Sequence, residues 1–401
     1  MMKLAGWRAW QRKPHWVKWQ RRAKVAAANT ANNLLPLIFT PVISLLVIRQ
    51  SSAAQWGAFV GVLITVQLGA HTAAWGNQEY LLREFSRNPA RMASAWQTSL
   101  FTRLALLTGL SLIALWFYPG QAGWVILWGA ALALRQSFNV LVTYKRDFTF
   151  AALVEIAGLG VMVTAVLLNG DTLSTGWLIR LFALTALARS MALLFRFRWV
   201  VGGWYGRFHF PYFRLAFPFF LLGFVGMLNS RLDLYLVSLY LPAAEVGSYQ
   251  VFANFLLYLQ SLAAFMLLPF VKSIYRVRYP TIRKISLTSG GLGLLITPPA
   301  MILLYVLLTY LYGIRLPPPF FLFGALAVWP IFFFLPVIYG LYKAERETAV
   351  LQVNIISIGL ALGLNLLLLP RWGMLGVVIA MAVVKWAVLL IYLARGRRLL
   401  A

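Results

Sequence analysis

The sequence contains no cysteine, and its 401 residues include only nine Asp and Glu and three His. The absence of cysteine excludes disulfides, thiolate metal sites and cysteine nucleophiles. The few carboxylates and imidazoles are scattered along the chain, so we expect no metal site. They are also too sparse for the paired-carboxylate site that a prenyl-phosphate transferase needs. We therefore expect a protein that is not an enzyme and binds no cofactor.

Charged residues of both signs are scarce, at 11%, whereas 61% of the residues are hydrophobic. A soluble domain has about 25% charged and about 45–50% apolar residues, and a disordered chain has low hydrophobicity. The composition excludes both classes. A membrane-spanning helix needs roughly 20 apolar residues, and runs of this length recur between residues 28 and 394. The sequence predicts an all-α polytopic membrane protein.

The apolar runs predict twelve transmembrane helices. With the amino terminus in the cytoplasm, 27 of the 36 Lys and Arg flank these helices on the cytoplasmic side and three flank them on the other side. This bias follows the positive-inside rule and places both termini in the cytoplasm. The predicted helices span 28–48, 56–75, 96–118, 123–143, 150–169, 177–195, 215–241, 247–270, 285–311, 320–342, 349–369 and 374–394.

Two short segments repeat at an offset of 190 residues, SAAQWGAF at 52–59 and PAAEVGSY at 242–249. Chance similarity is the alternative, because Ala and Gly are common residues. With six helices in each half, the repeat predicts two pseudo-symmetric lobes around a central cavity, related by an axis along the membrane normal. The predicted organisation is a basic, Trp-rich cytoplasmic segment at 1–27, an N-terminal six-helix lobe at 28–196, a cytoplasmic linker at 197–214, a C-terminal six-helix lobe at 215–394 and a basic cytoplasmic tail at 395–401.

Polar residues recur at helical spacing in the first two predicted helices of each half. Lipid-facing positions must be apolar, so such stripes face protein or water. Hydrogen bonding between helices is the alternative to lining a cavity. The candidate substrate-contacting residues in these stripes are Asn29, Asn33, Gln67, His71, Asn229, Gln250, Asn254 and Tyr258.

Five charged residues lie deep within the predicted helices. An ionised group at mid-bilayer costs roughly 2.5–3.5 kcal/mol unless a partner or water compensates for it. Because four of the five are basic, we expect a cavity that selects an anion, and the guanidinium fork suits phosphate oxygens. Arg103, Glu155 and Arg180 lie nearer the helix ends, where snorkelling accounts for them. The deep charges are Arg135, Arg189, Arg231, Lys385 and the single acid Asp233.

The segment 1–27 interleaves four Trp with eight Lys or Arg. This mixture favours contact with anionic lipids at the cytoplasmic membrane surface, with Trp at the headgroup level. Nucleic-acid binding is a weaker reading of the same charge, and we expect no nucleic-acid partner.

Three stretches of the sequence resemble a known family. They are NLLPLIFTPVISLLVI at 33–48, FPFFLLGFVGMLNSRLDLYLVSLYLPAAEVGSYQVFANFL at 217–256 and NLLLLPRWGMLGVVIAMAVVK at 365–385. They are similar to the first, seventh to eighth and last two helices of bacterial polysaccharide-unit (O-antigen type) flippases. These flippases belong to the multidrug/oligosaccharidyl-lipid/polysaccharide (MOP) exporter superfamily.

The resemblance implies a twelve-helix, two-lobe fold whose central cavity is lined largely by the first, second, seventh and eighth helices. It also implies a function, the translocation of an undecaprenyl-pyrophosphate-linked oligosaccharide across the bacterial inner membrane by alternating access. A polysaccharide polymerase is the partner implied. Cationic cavity residues would hold the pyrophosphate, with Arg231 and Arg135 as the first candidates, followed by Arg189 and Lys385.

Other functions remain open. A peptidoglycan-precursor flippase belongs to the same superfamily but generally has two more helices. A cation-coupled multidrug exporter needs a titratable carboxylate in its cavity, and the first, second and eighth predicted helices contain no Asp or Glu. A membrane scaffold or an embedded transferase is the alternative without transport.

Overall fold

The structure is a computed structural model that describes residues 38–203, 205–267, 271–277 and 279–400. Within these ranges the chain forms helices and short connections, without strands. The main helices are α1 (Ile38–Gln50), α2 (Ala53–Ala74), α3 (Asn77–Arg87), α4 (Met92–Phe117), α5 (Ala122–Lys145), α6 (Phe148–Leu168), α7 (Thr175–Arg196), α8 (Pro211–Tyr240), α9 (Ala243–Leu267), α10 (Tyr279–Val306), α11 (Pro318–Lys343) and α12 (Glu347–Leu400).

Ten helices in the described ranges are long and apolar enough to cross a membrane. The predicted all-α polytopic class is therefore confirmed. The count of twelve spans stays a prediction, because the predicted helix 28–48 begins outside the described residues. Asn29 and Asn33 also lie outside them. The last two predicted helices both lie in α12, which Gly373 divides into two segments by its φ of 58° and ψ of −141°.

Local sequence signals set several of the helix ends. The Ser52 side chain caps α2 by accepting a hydrogen bond of 3.1 Å from the Gln55 amide, and Ser174 caps α7 in the same way. Such caps satisfy amide donors that the first turn leaves free. Gly76, with φ of 66°, then turns the chain from α2 into α3, a short amphipathic helix that hydropathy alone does not indicate. The buried residues of α3 include Leu81 and Phe85.

The two repeated segments contact each other. A Cβ atom on Gly57 would lie 1.7 Å from the carbonyl oxygen of Ala243, and one on Gly247 would lie 2.1 Å from the carbonyl oxygen of Ala53. The repeat aligns Gly57 with Gly247 and Ala53 with Ala243. The two contacts are therefore equivalent to each other. A two-fold axis produces such a reciprocal contact. We call this contact of α2 and α9 the glycine seam.

A second contact between the two halves lies close to the C-terminal end of α1. Arg49 donates hydrogen bonds to the carbonyl oxygens of Tyr310 and Leu311, near the end of the π-helical segment Leu307–Tyr312 that follows α10. The Tyr312 hydroxyl donates to the Pro41 carbonyl oxygen over 2.8 Å. Carbonyls at a helix end lack partners within the helix, so the guanidinium satisfies them. The glycine seam and Arg49 together join the halves at this end.

At the opposite end of α2, a different contact joins the halves. The ring of Trp75 stacks on that of Phe220 in α8, with the ring centroids 4.1 Å apart. The Trp75 indole also donates to the Phe213 carbonyl oxygen over 3.0 Å. Helix α2 therefore holds the second half at both of its ends, through α9 at one and α8 at the other.

The predicted linker at 197–214 lies against α4. The Gln97 amide donates to the carbonyl oxygens of Val200 and Gly203 at 2.6 and 2.5 Å, and its oxygen accepts from the Tyr205 amide. The His209 amide donates to the Thr102 hydroxyl over 3.0 Å. Two polar side chains of α4 thus fix the path of the linker. The predicted lobe boundaries on either side of it stay predictions.

We predict that Gly57→Ala destabilises the protein by about 1–3 kcal/mol, the usual cost of overpacking a filled site. The added methyl must push α2 and α9 apart, because backbone atoms stand in its way. Thermal unfolding of the detergent-solubilised protein measures the effect. Gly61→Ala is the matched control, since it lies one turn further along α2 with no neighbour within 4 Å. Equal melting temperatures for the two variants would show that the glycine seam is not tightly packed.

Candidate functional site

Three charged side chains from three helices meet inside the first half of the molecule. One guanidinium nitrogen of Arg135 contacts one oxygen of the Glu155 carboxylate, and Arg189 donates to the other oxygen over 3.1 Å. The exposed fractions of these side chains are 19%, 10% and 9% for Arg135, Glu155 and Arg189. We call these residues the N-lobe charge cluster. One carboxylate bridges two guanidiniums, which leaves the cluster with a net positive charge.

Arg189 reaches the carboxylate of Glu155 because Gly158 has no side chain. Gly158 follows Glu155 by one turn of α6, and a Cβ atom on it would lie 2.0 Å from Arg189 Nε. On another side, the Arg189 guanidinium carbon lies 4.4 Å from the centroid of the Phe39 ring, which attracts a cation through its π electrons. The glycine and the ring therefore form a slot that holds the guanidinium.

The structure corrects two sequence-based expectations. Snorkelling does not account for Glu155, which is buried and paired with two arginines. It does not account for Arg103 either, whose side chain is buried and donates to the Ser137 hydroxyl over 2.7 Å. Snorkelling depends on access to lipid or water, and neighbouring helices remove that access. Arg180 is exposed, in keeping with the expectation.

A cavity of about 190 Å³ adjoins the N-lobe charge cluster. All three cluster residues line it, together with Gln67 of α2 and Thr40 of α1. We call it the N-lobe cavity. Gln67, predicted as a substrate contact, therefore lies beside Arg135 and Arg189, so these three predicted site residues share one cavity.

The second half has polar cavities of its own. Two adjoining pockets of about 130 and 340 Å³ share the side chains of Asn229, Gln260 and Lys385. Asp233 lines the smaller pocket and accepts a hydrogen bond from the Tyr249 hydroxyl. We call the two pockets together the C-lobe cavity. It places the acid Asp233 and the base Lys385 in one polar space.

The two cavities involve matching helices. The N-lobe cavity lies among α1, α2, α5, α6 and α7, and the C-lobe cavity among α8, α9, α11 and both segments of α12. Each contains a base from the last helix of its half, Arg189 or Lys385. The acids differ in origin, because Glu155 lies on α6 whereas Asp233 lies on α8. The halves therefore share an architecture but compensate their charges differently.

Arg231 takes part in none of the salt bridges of the described residues. It donates to the Asn254 side-chain oxygen over 2.7 Å. Four residues along α8, the Tyr235 hydroxyl donates to the Ile64 carbonyl oxygen over 3.2 Å, so this face of α8 borders α2 of the other half. Asp233 meets Tyr249 instead. Arg231 and Asp233 thus have different partners, as their separation of two residues predicts.

Other predicted site residues lie along the contact between the halves. Gln250 accepts a hydrogen bond of 2.9 Å from the Trp56 indole beside the glycine seam. His71 packs against Gly223, where an added Cβ atom would lie 3.2 Å from the imidazole. Tyr258 follows Asn254 by one turn of α9. The described members of the predicted site therefore occupy three places, namely the N-lobe cavity, the C-lobe cavity and the boundary between the halves.

Several polar residues of these cavities were missed by the sequence reasoning. Ser357 donates to the Asn229 side-chain oxygen over 2.9 Å, and Gln260 lines both pockets of the C-lobe cavity. Glu155 is the most consequential omission. A signal for it does exist in the sequence, because Glu155 precedes Gly158 by one turn and the glycine gives a neighbouring side chain room to reach the carboxylate.

No family model and no curated protein matches the sequence. Several solved structures are similar in fold. A lipid II flippase MurJ in its inward closed conformation matches with a TM-score of 0.72 at 13% identity, covering 93% of this chain and 87% of that one. An inward-facing multidrug resistance MATE family transporter of the MOP superfamily matches with a TM-score of 0.59 at 15% identity, covering 93% and 97%. The chain therefore has the fold of MOP-superfamily transporters.

We predict that Gly158→Ala destabilises the protein by about 1–3 kcal/mol, because its methyl group displaces Arg189 from Glu155. The melting temperature of the purified protein measures this loss. Gly160→Ala is the matched control on the same helix, where nothing lies within 4 Å of the added atom. If both variants melt together, the slot for Arg189 tolerates a side chain and its description is wrong.

Proposed function

We propose that the protein is a flippase that moves an undecaprenyl-pyrophosphate-linked oligosaccharide across the bacterial inner membrane by alternating access. The observation that carries the proposal is the partner of Arg231. This guanidinium lies within a membrane-spanning helix at the boundary of the two halves, and its hydrogen-bond partner is the neutral amide of Asn254. An amide oxygen does not neutralise a cation, and none of the salt bridges among the described residues includes Arg231, so its guanidinium is available to a diphosphate.

The transport problem explains the remaining polar residues. A sugar headgroup is too polar to cross hydrocarbon, so the protein must offer it hydrogen-bonding groups along the path while the prenyl tail stays in lipid. Four polar residues of α2 and α9 lie along the boundary between the halves, namely His71, Gln250, Asn254 and Tyr258. They supply the donors and acceptors for the sugar. Asn29 and Asn33, outside the described residues, belong to the same proposed set.

Alternating access requires the halves to separate at one end at a time. The glycine seam and Arg49 join them at one end of α2, and Trp75 joins them at the other. In the proposed cycle each contact breaks in turn while the other holds. Helix α2, which takes part in both, is the element about which the halves rock.

The fold likeness supports a lipid-linked substrate, because the protein it matches with a TM-score of 0.72 is a lipid II flippase. A peptidoglycan-precursor flippase is accordingly the second candidate, and it would use the same cationic residue. A cation-coupled multidrug exporter is less favoured, since Arg231 forms no salt bridge among the described residues and its charge repels organic cations. For either flippase we propose that both termini lie in the cytoplasm and that segment 1–27 contacts anionic lipids. The proposed protein partner is a polysaccharide polymerase or its counterpart.

We predict that Arg231→Ala lowers flux at least tenfold in proteoliposomes that carry fluorescently labelled undecaprenyl-pyrophosphate-linked oligosaccharide. A charge-assisted hydrogen bond is worth about 1.5–3 kcal/mol, which corresponds to roughly tenfold or more in flux. Arg231→Lys keeps the charge and should retain part of the flux. Arg180→Ala removes an exposed cation and should leave the flux unchanged.

The same vesicles distinguish the candidates. Faster flux of the oligosaccharide lipid than of the peptidoglycan precursor supports the leading proposal, and the reverse order supports the second candidate. Unchanged flux of both lipids in Arg231→Ala would remove the diphosphate site from Arg231 and, with it, the observation on which the proposal rests.

A further inference from the structure

We propose that Glu155 is a built-in occupant of an anion site, and that the diphosphate of the transported lipid displaces it from Arg135 and Arg189. The N-lobe charge cluster is then a second diphosphate site, which the protein's own carboxylate closes in this structure. This inference rests on the proposed function for the identity of the anion. The existence of the site rests on the geometry of the cluster alone.

The cluster has the arrangement of a two-pronged anion clamp. Two guanidiniums from different helices, α5 and α7, converge on the two oxygens of one carboxylate. A phosphate group offers the same kind of oxygens to the same donors, with more charge and more acceptors. A diphosphate therefore competes for these arginines better than a carboxylate does, and a neutral sugar does not compete at all.

Glu155 alone neither neutralises the two arginines of the clamp nor accepts all of their hydrogen bonds. Two positive charges face one negative charge, and no other acidic residue lines the described walls of the N-lobe cavity. Arg189 Nε is buried, and no hydrogen-bond partner is found for it in the part of the chain that the structure describes. A guanidinium has five N–H donors, so two arginines hold more donors than one carboxylate can accept from. A second anionic group is favoured at this place.

The cavity beside the clamp supplies room for the incoming group. Its volume of about 190 Å³ lies against Arg135, Glu155 and Arg189. Its lining also includes Thr40 and Gln67, polar groups of α1 and α2, and these helices also carry contacts between the halves. A diphosphate in the cavity therefore has neutral hydrogen-bonding groups beside it as well as the arginines.

The carboxylate also gives the site a way to release its ligand. Glu155 is held on α6 beside the arginines and returns to them when the diphosphate leaves, so the departing anion is replaced at once by an internal one. Without Glu155 the arginines would bind diphosphate more tightly and release it more slowly. Tight binding and slow turnover together are the signature of the proposed role.

The test measures binding of inorganic pyrophosphate to the full-length protein in lipid nanodiscs, by calorimetry in phosphate-free buffer. We expect Glu155→Gln to bind at least tenfold more tightly than the wild type, and the addition of Arg189→Gln to abolish this gain. Asp147→Asn is the matched control, because it removes the carboxylate of the exposed pair with Arg196, whose side chain is 53% exposed. Affinity that is unchanged or weaker in Glu155→Gln would overturn the proposal and make Glu155 a fixed counter-ion.

A second variant guards against misfolding of Glu155→Gln. Glu155→Asp keeps the negative charge but is one methylene shorter, so it cannot reach both guanidiniums as Glu155 does. We expect it to raise pyrophosphate affinity by a smaller factor than Glu155→Gln. If Glu155→Gln does not fold, affinity in Glu155→Asp equal to that of the wild type overturns the proposal on its own.

A second arm identifies the source of the diphosphate. Nanodiscs that contain undecaprenyl diphosphate should compete with inorganic pyrophosphate at this site, and lack of competition would overturn the assignment to a lipid-linked substrate. In flux assays, Glu155→Gln should lower both the half-saturating substrate concentration and the maximal flux. Failure of the proposed function shows separately, as unchanged flux in Arg231→Ala, whereas failure of the present inference shows in the binding of pyrophosphate.

Discussion

A charge inside the membrane needs a partner, and this requirement explains the placement of the buried ionic residues. Arg103 finds the hydroxyl of Ser137, and Arg135 and Arg189 share Glu155. An ionised group without such a partner costs several kcal/mol in hydrocarbon. The helices of the first half are therefore held together by ionic and hydrogen-bonding contacts as well as by apolar packing, and Arg135, Glu155 and Arg189 line one cavity.

Arg231, like Arg103, has a neutral hydrogen-bond partner. Asn254 accepts its hydrogen bond, and no salt bridge of the described residues includes Arg231. The residue also lies where the two halves meet, whereas the paired arginines lie within one half. The molecule thus combines a cation at the boundary of the halves with a clamp that its own carboxylate occupies. This combination suits the anionic headgroup of the proposed substrate, which must be bound, carried and released.

One contact between the halves, the glycine seam, depends on small residues. Gly57 and Gly247 allow the backbones of α2 and α9 to touch, because no side chain stands between them. Small residues serve this purpose widely in membrane helices, where the hydrophobic effect does not drive helices together. The glycines themselves make no ion pair across the seam, which suits a contact that must open again in the proposed rocking motion of the two halves.

The sequence by itself determined the class of the fold, because uninterrupted apolar runs admit no structure in lipid other than a helix. It also indicated the repeat at 52–59 and 242–249 and the position of Arg231 deep within a helix. Only the tertiary structure decided that Glu155 bridges Arg135 and Arg189, that Arg103 is buried, and that the predicted site residues divide among three places. Hydropathy is a property of each residue and its neighbours in the sequence. The partner of a buried charge depends instead on which other helices pack beside it.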